Sequence, residues 1–214
     1  MNAAMLNPSE QLEGLVLDGG WTVGPLIPKK ARATGGNFCQ CYSVRSESGR
    51  EAFLKALDFF HAFKTSATVT EVIETITVLF NFERDLLKEC NRRNMDRVVK
   101  AIDSGTVQVE EGNPFAQVPY LIFERADLDV RAHLDDPKLD SSLAWKLRSL
   151  HHVATGLKQL HGAEISHQDL KPSNVLVFYV NEILTVSKVA DLGRASRLGH
   201  ASPFDNQSWV TGDN

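Results

Sequence analysis

The sequence predicts an α+β fold, and three observations predict it. Short runs of strand-forming residues, separated by Gly, Ser and Lys clusters, follow one another over residues 21–57. Two longer stretches, 65–91 and 141–161, carry apolar residues at helical spacing. A buried-type strand lies between the helices, and a strand pair ending in Asp191-Leu192-Gly193 follows the second.

Taken in order, residues 1–20 are mixed and turn-rich and read as a loosely held leader. Strands are expected over 21–27, 38–45 and 51–57. Ser46-Glu47-Ser48-Gly49-Arg50 suits a hairpin turn, with Gly49 able to take a positive φ. Lys55 sits inside the apolar run Phe53-Leu54-Lys55-Ala56-Leu57; by itself such a lysine reads as an edge residue facing water. Gly35 and Gly36 have no Cβ, so their backbone amides can approach phosphate oxygens. Cys39 and Cys41 face one side of an alternating strand, and without a second pair they read as packing rather than a metal site.

The helix over 65–91 rests on Val69, Val72, Ile73, Ile76, Leu79 and Phe80, opened by a Thr68-x-x-Glu71 capping box. Its β-branched content argues for strand, but the period decides for helix. Residues 120–126 read as a strand running into a polar stretch. In the helix over 141–161, Leu143, Leu147, Leu150, Val153, Ala154, Leu157 and Leu160 form the face expected to be core. Ser141 or Ser142 can cap it and Gly162 can end it. His151 and His152 fall on neighbouring faces and are not expected to share a metal. Strands over 175–179 and 184–190 then form a hairpin that delivers Asp191.

Bulk properties narrow the function. With 214 residues and 43% hydrophobic content the chain can build one large domain or two small lobes. A net charge of -4 with interspersed signs gives no footprint for nucleic acid. Three cysteines, an odd number, read as reduced thiols. The start lacks signal-peptide regions and a glycine at position 2, and no apolar run reaches membrane-spanning length. The expectation is a soluble cytoplasmic protein with no membrane or nucleic-acid partner.

The chemistry is concentrated in His167-Gln168-Asp169-Leu170-Lys171-Pro172-Ser173-Asn174 and Asp191-Leu192-Gly193. A carboxylate, a lysine and an amide on one short segment, with a second carboxylate one hairpin later, suit phosphoryl transfer. Asp169 can orient an incoming hydroxyl and accept its proton, and Lys171 can sit against the transferring phosphate. Asn174 and Asp191 offer hard oxygen ligands to magnesium. Singly, such residues are usually solvated surface; their conjunction carries the reading. The segment resembles the catalytic loop and metal-binding motif of protein kinases, His-Arg-Asp-Leu-Lys-Pro-x-Asn and Asp-Phe-Gly.

That resemblance implies a two-lobed fold that binds ATP and Mg²⁺ and phosphorylates protein substrates. It divides the chain into the leader 1–20, a small β-rich N-lobe 21–123 with one main helix, a hinge 124–128, and a partial helical C-lobe 129–214. Lys171 points to serine or threonine as the acceptor. Lys55 takes the place of the lysine that pairs with the α- and β-phosphates. Glu83, in Phe82-Glu83-Arg84-Asp85-Leu86-Leu87, best fits the glutamate that holds that lysine, with Glu74 as the fallback. Lys55 and Glu83 are 28 residues apart, longer than the family pattern, which implies an insertion before the helix. Phe123 corresponds to the residue at the back of the adenine pocket, and Glu124 and Ala126 to those whose backbone faces adenine. His167 corresponds to a structural residue.

The chain departs from the family pattern in three places. The glycine turn, Gly-x-Gly-x-Phe-Gly-x-Val in the family, is here Thr34-Gly35-Gly36-Asn37-Phe38-Cys39-Gln40-Cys41. Only Gly36 and Phe38 are on register, and Cys39 replaces the third glycine. Gln168 stands where most protein kinases carry the arginine that reads a phosphorylated activation loop, so activity independent of such phosphorylation is expected. The sequence ends at Asn214 within what resembles the activation segment, before any Ala-Pro-Glu anchor. Apolar area, such as the face of the Leu143 helix, would then need cover, with a partner chain as one possible source. Two alternatives remain open: a pseudokinase-like or truncated module that binds nucleotide or a partner without turnover, and, less favoured, a small-molecule kinase of the aminoglycoside phosphotransferase type.

Overall fold

Alternation between apolar and polar residues builds the larger sheet. In the computed structural model, which describes residues 7–28, 39–59, 68–113, 116–181 and 184–199, the chain divides into two compact units. One comprises Met1–Phe80 with Ala101–Arg125, the other Asn81–Lys100 with Ala126–Asn214.

The first unit holds strands β1 (Val16–Leu17), β2 (Trp21–Leu26), β3 (Cys39–Ser46), β4 (Glu51–Leu57), β5 (Ala101–Gln108) and β6 (Gln117–Glu124). They form one sheet in the order β1-β2-β3-β4-β6-β5, every neighbouring pair antiparallel. The β3–β4 hairpin turns at Gly49, whose φ of 82° meets the requirement read from the sequence. One face of the sheet buries Tyr42, Val44, Leu54, Ala56, Tyr120 and Ile122, packed with Leu12, Trp21 and Val23. The intervening positions Cys41, Lys55 and Leu121 lie side by side on the opposite face. β4 is flanked by β3 and β6, so Lys55 is an interior-strand residue and not the edge lysine that its isolated context suggests.

The described part of the leader is not loosely held. Pro8–Glu10 form a 3₁₀ turn capped by the Asn7 side chain, Leu12 is 0% exposed and Leu17 is buried. The Tyr42 hydroxyl donates to the Ser9 carbonyl at 2.7 Å, and burial pushes its pKa up to about 12. Asp58, also buried, accepts from Asn7 and Gln40 at 3.1 and 2.8 Å. Residues 7–17 therefore complete the core of this unit. The sequence hides this because two leucines five residues apart and one turn do not make a periodic pattern.

Helix α1 (Val69–Arg92) begins at the expected capping box. The Thr68 Oγ1 donates to Glu71 Oε2 at 2.6 Å, and the Thr68 backbone N–H donates to the same oxygen at 3.2 Å. Ile76 and Phe80 are buried as predicted, and the stripe continues through Glu83, Leu87 and Cys90. The side chains of Val69, Val72 and Ile73 lie outside the described residues.

The second unit takes the C-terminal half of α1 and adds β7 (Leu128–Asp129), α2 (Val130–Asp135), α3 (Leu143–His161), β8 (Ile165–Ser166), β9 (Val175–Tyr179), β10 (Thr185–Val189) and β11 (Ser196–Arg197). Its sheets are β10-β9-β7 and β11-β8. Ser142 caps α3 by accepting from the Trp145 N–H. Of the face expected to be core, Leu160 alone is buried. Trp145, Ser149, Gly156 and Leu160 are buried, whereas Leu143, Leu147 and Leu150 are 71%, 58% and 64% exposed. Hydrogen bonds explain the orientation: Trp145 Nε1 donates to Thr185 Oγ1 at 3.1 Å, the Ser149 and Ser187 hydroxyls pair at 2.9 Å, and His152 Nδ1 accepts from the Ser187 N–H at 3.2 Å. Close approach explains Gly156, where a Cβ would fall 2.7 Å from the Arg97 carbonyl oxygen. Among the described residues no helix is long and apolar enough to cross a membrane.

Candidate active site

Strand β8 ends at Ser166, and the chain then turns sharply into the motif. His167 is buried, and its Nε2 lies 2.9 Å from the Ala190 carbonyl. A carbonyl can only accept, so Nε2 carries the proton and Nδ1 is an acceptor. Nδ1 takes the Asp169 N–H at 3.3 Å, while that N–H also reaches the His167 carbonyl at 2.9 Å. Both ring nitrogens are thus occupied in holding the loop.

Asp169 is fixed from three sides. Asn174 Nδ2 donates to its carbonyl oxygen at 2.9 Å and to its Oδ2 at 3.0 Å. Lys171 Nζ lies 2.9 Å from the same Oδ2, with both side chains only 18% exposed. A 3₁₀ turn over Pro172–Asn174 brings Asn174 back beneath the loop. The Asn174 carbonyl then accepts from the Ala190 N–H at 2.9 Å, tying the loop to the residue before Asp191. Asp191 itself has φ 61° and ψ 77°, a left-handed conformation that costs a non-glycine residue about 1–3 kcal/mol and persists only where surrounding structure enforces it.

The next glycine sits in a tight space. A Cβ on Gly193 would lie 3.3 Å from Asp191 Oδ1 and 3.6 Å from Glu83 Oε2. Glu83 is 5% exposed, whereas Glu74 faces solvent, so of the two candidate glutamates only Glu83 is buried. In this unit the fold therefore gathers Asp169, Lys171, Asn174, Asp191 and Glu83 around the motif. The sequence marks Gly193 only as the end of the Asp-Leu-Gly triplet; its closeness to two carboxylates is visible only in three dimensions.

These residues fit a magnesium ion on donor chemistry. The amide nitrogen of Asn174 is committed to Asp169, which leaves its carbonyl oxygen as the remaining acceptor. With the Asp191 carboxylate it supplies two hard oxygens, a set that suits Mg²⁺ completed by phosphate oxygens and water.

In the first unit Lys55 lies in the centre of β4, opposite Cys41 on one side and Leu121 on the other. Phe123 and Glu124 close β6, paired with Phe53 and Ala52. The boundary between the units falls between Arg125 and Ala126, inside the segment read as a hinge. Gly35, Gly36 and Phe38 lie outside the described residues. Cys39 is buried and Cys41 half-buried on the strand that follows, in keeping with packing.

Comparison with known proteins agrees with this arrangement. The family model described as the protein kinase domain matches residues 35–212. Over 168 residues the chain is 26% identical to a probable cell division protein kinase of Encephalitozoon cuniculi, a match covering 78% of this chain and 46% of that protein. Over 112 residues it is 34% identical to receptor-interacting serine/threonine-protein kinase 1 of Homo sapiens, covering 51% of this chain and 14% of that protein. The matches thus span less than half the length of either relative. With its catalytic-loop residues gathered on one segment and the family model spanning most of its length, the chain belongs to the protein kinase family.

Proposed function

We propose that this chain carries the phosphoryl-transfer centre of a protein kinase that moves the γ-phosphoryl of ATP to serine or threonine hydroxyls of protein substrates. The observation that carries the reading is the fixed Asp169 carboxylate, oriented by Asn174 and neutralised by Lys171. A carboxylate so held can align a substrate hydroxyl for in-line attack and take its proton, which lowers the barrier chiefly by positioning. Lys171 then offsets charge on the transferring group. Asn174 and Asp191 would hold magnesium, which supplies charge neutralisation at the phosphates. Lys55 is assigned to the α- and β-phosphates, Glu83 as its supporting carboxylate, Gly35, Gly36 and Phe38 to the phosphate-covering turn, and Phe123, Glu124 and Ala126 to adenine. A reducing compartment such as the cytoplasm is assigned on the odd count of three cysteines in the sequence.

Cover for the exposed leucine face of α3 is part of the same reading. Leu143, Leu147 and Leu150 form an apolar stripe on a helix that has basic but no acidic residues. We assign this stripe to contact with further polypeptide, in cis or from a partner chain.

The test is phosphate transfer from labelled ATP to a protein acceptor, comparing the wild-type chain with Asp169→Asn. Loss of a positioned base should lower the rate by about a hundredfold or more. Equal rates in the two proteins would remove Asp169 from the chemistry, and Mg²⁺-dependent ATP binding without any transfer would favour the nucleotide-binding module instead.

A further inference from the structure

Gln168, the residue that departs from the family pattern, makes its own contacts. Its backbone is left-handed, with φ 61°, and its side-chain amide nitrogen donates to two hydroxyls, Ser166 Oγ at 2.9 Å and Ser196 Oγ at 3.1 Å. The two serines are direct cross-strand partners in the β8–β11 pair. Leu198 N–H extends the ribbon by donating to the Glu164 carbonyl at 2.9 Å. One neutral side chain therefore bridges both strands at the point where the segment following Asp191-Leu192-Gly193 runs back past the root of the catalytic loop.

We propose that Gln168 is a positioning residue: the Ser166–Gln168–Ser196 bridge is a charge-free latch that fixes the segment leaving Asp191 onto the catalytic loop without any phosphate. β8 and β11 are two residues each, too short to hold together on backbone bonds alone, so the side-chain bridge is a large part of what registers them. Both N–H groups of the amide are used, and both acceptors are uncharged hydroxyls. The latch thus needs no change of ionisation or modification to form. Its regulatory meaning, a catalytic loop whose order does not await phosphorylation, rests on the kinase reading above.

The experiment is amide hydrogen exchange over residues 194–199 of the full chain, with phosphotransfer kinetics alongside. Gln168→Met keeps the volume and removes both donors. It should speed exchange at Leu198 about fivefold, the scale of one net hydrogen bond. The Ser166→Ala/Ser196→Ala pair should match it, and combining all three should add nothing, the non-additivity expected of a single linked unit. In kinetics, kcat should fall in similar proportion with the KM for ATP unchanged. Phosphatase treatment of the wild-type chain should alter neither readout. Unchanged exchange in Gln168→Met, additive effects, or faster exchange after phosphatase treatment would each overturn the latch. The predicted exchange pattern without any phosphotransfer would uphold the latch and count against the kinase reading.

Discussion

Asp169, Asn174 and His167 divide the work of the catalytic loop by hydrogen-bond capacity. His167 uses both ring nitrogens on backbone groups, which leaves the carboxylate of Asp169 for the proposed contact with a substrate proton. The proposed assignment comes from the octet's resemblance to the family's catalytic loop. Other residue roles were not legible. His152 reads as half of an adjacent histidine pair, yet it accepts the Ser187 N–H through Nδ1 at 3.2 Å. Burial, followed by the nearby Arg97 charge, holds its pKa below the ordinary 6.5. The folded state therefore favours neutral imidazole. The stability from this site is present above pH 6.5 and is lost as pH falls through the lowered folded value. Unfolding midpoints measured from pH 7.5 to 5 should fall on the acid side in the wild-type chain. In His152→Asn, whose amide oxygen can accept the same N–H without titrating, that acid-side fall should shrink.

At the scale of elements, the two long helices teach opposite lessons. The start of α1 was legible because a capping box is a local device, complete within Thr68–Glu71. The orientation of α3 was not, because beside the stripe of Leu143, Leu147 and Leu150 it carries a second one of Trp145, Ser149, His152, Gly156 and Leu160, the last shared with the face expected to be core. Hydrophobicity alone chooses the leucines. The polar groups of β10 choose the other, since Thr185 and Ser187 need partners once buried. Two substitutions separate these faces. Leu150→Ser should change stability by less than about 0.5 kcal/mol, as expected at an exposed site. Gly156→Ala should cost about 1–3 kcal/mol by overpacking against the Arg97 carbonyl oxygen. Denaturant unfolding of the two variants measures both. The leader makes a third case: Leu12 is fully buried, so Leu12→Ala should destabilise the first unit by about 2–5 kcal/mol, read as an earlier loss of the near-UV signal from Trp21.

At the scale of the whole chain, the fold class and the order of the two long helices and most of the longer strands were legible because strand runs, helical periods and turn residues agree with one another along the sequence, whereas β5 was not expected. The division into units was only partly so. The boundary after Arg125 lies where a polar stretch follows a buried strand, which a sequence can reveal. The assignment of Asn81–Lys100 to the second unit depends on packing. The Val189 carbonyl accepts the Val99 N–H at 2.8 Å, and the Arg97 carbonyl accepts the Val189 N–H at 2.8 Å; no local pattern announces pairing across ninety residues of chain. What unites the molecule functionally is the claim that it binds Mg²⁺-ATP through the Asn174–Asp191 oxygens. The most direct test is thermal unfolding of the full chain with and without Mg²⁺-ATP, beside Asp191→Asn. Ligand at about a hundred times its Kd should stabilise the chain by roughly 2.7 kcal/mol, which for a chain of this size is about 5–10 °C. That shift is expected in the wild-type protein, dependent on magnesium and lost in Asp191→Asn. An unfolding transition indifferent to Mg²⁺-ATP, or an equal shift in Asp191→Asn, would contradict it.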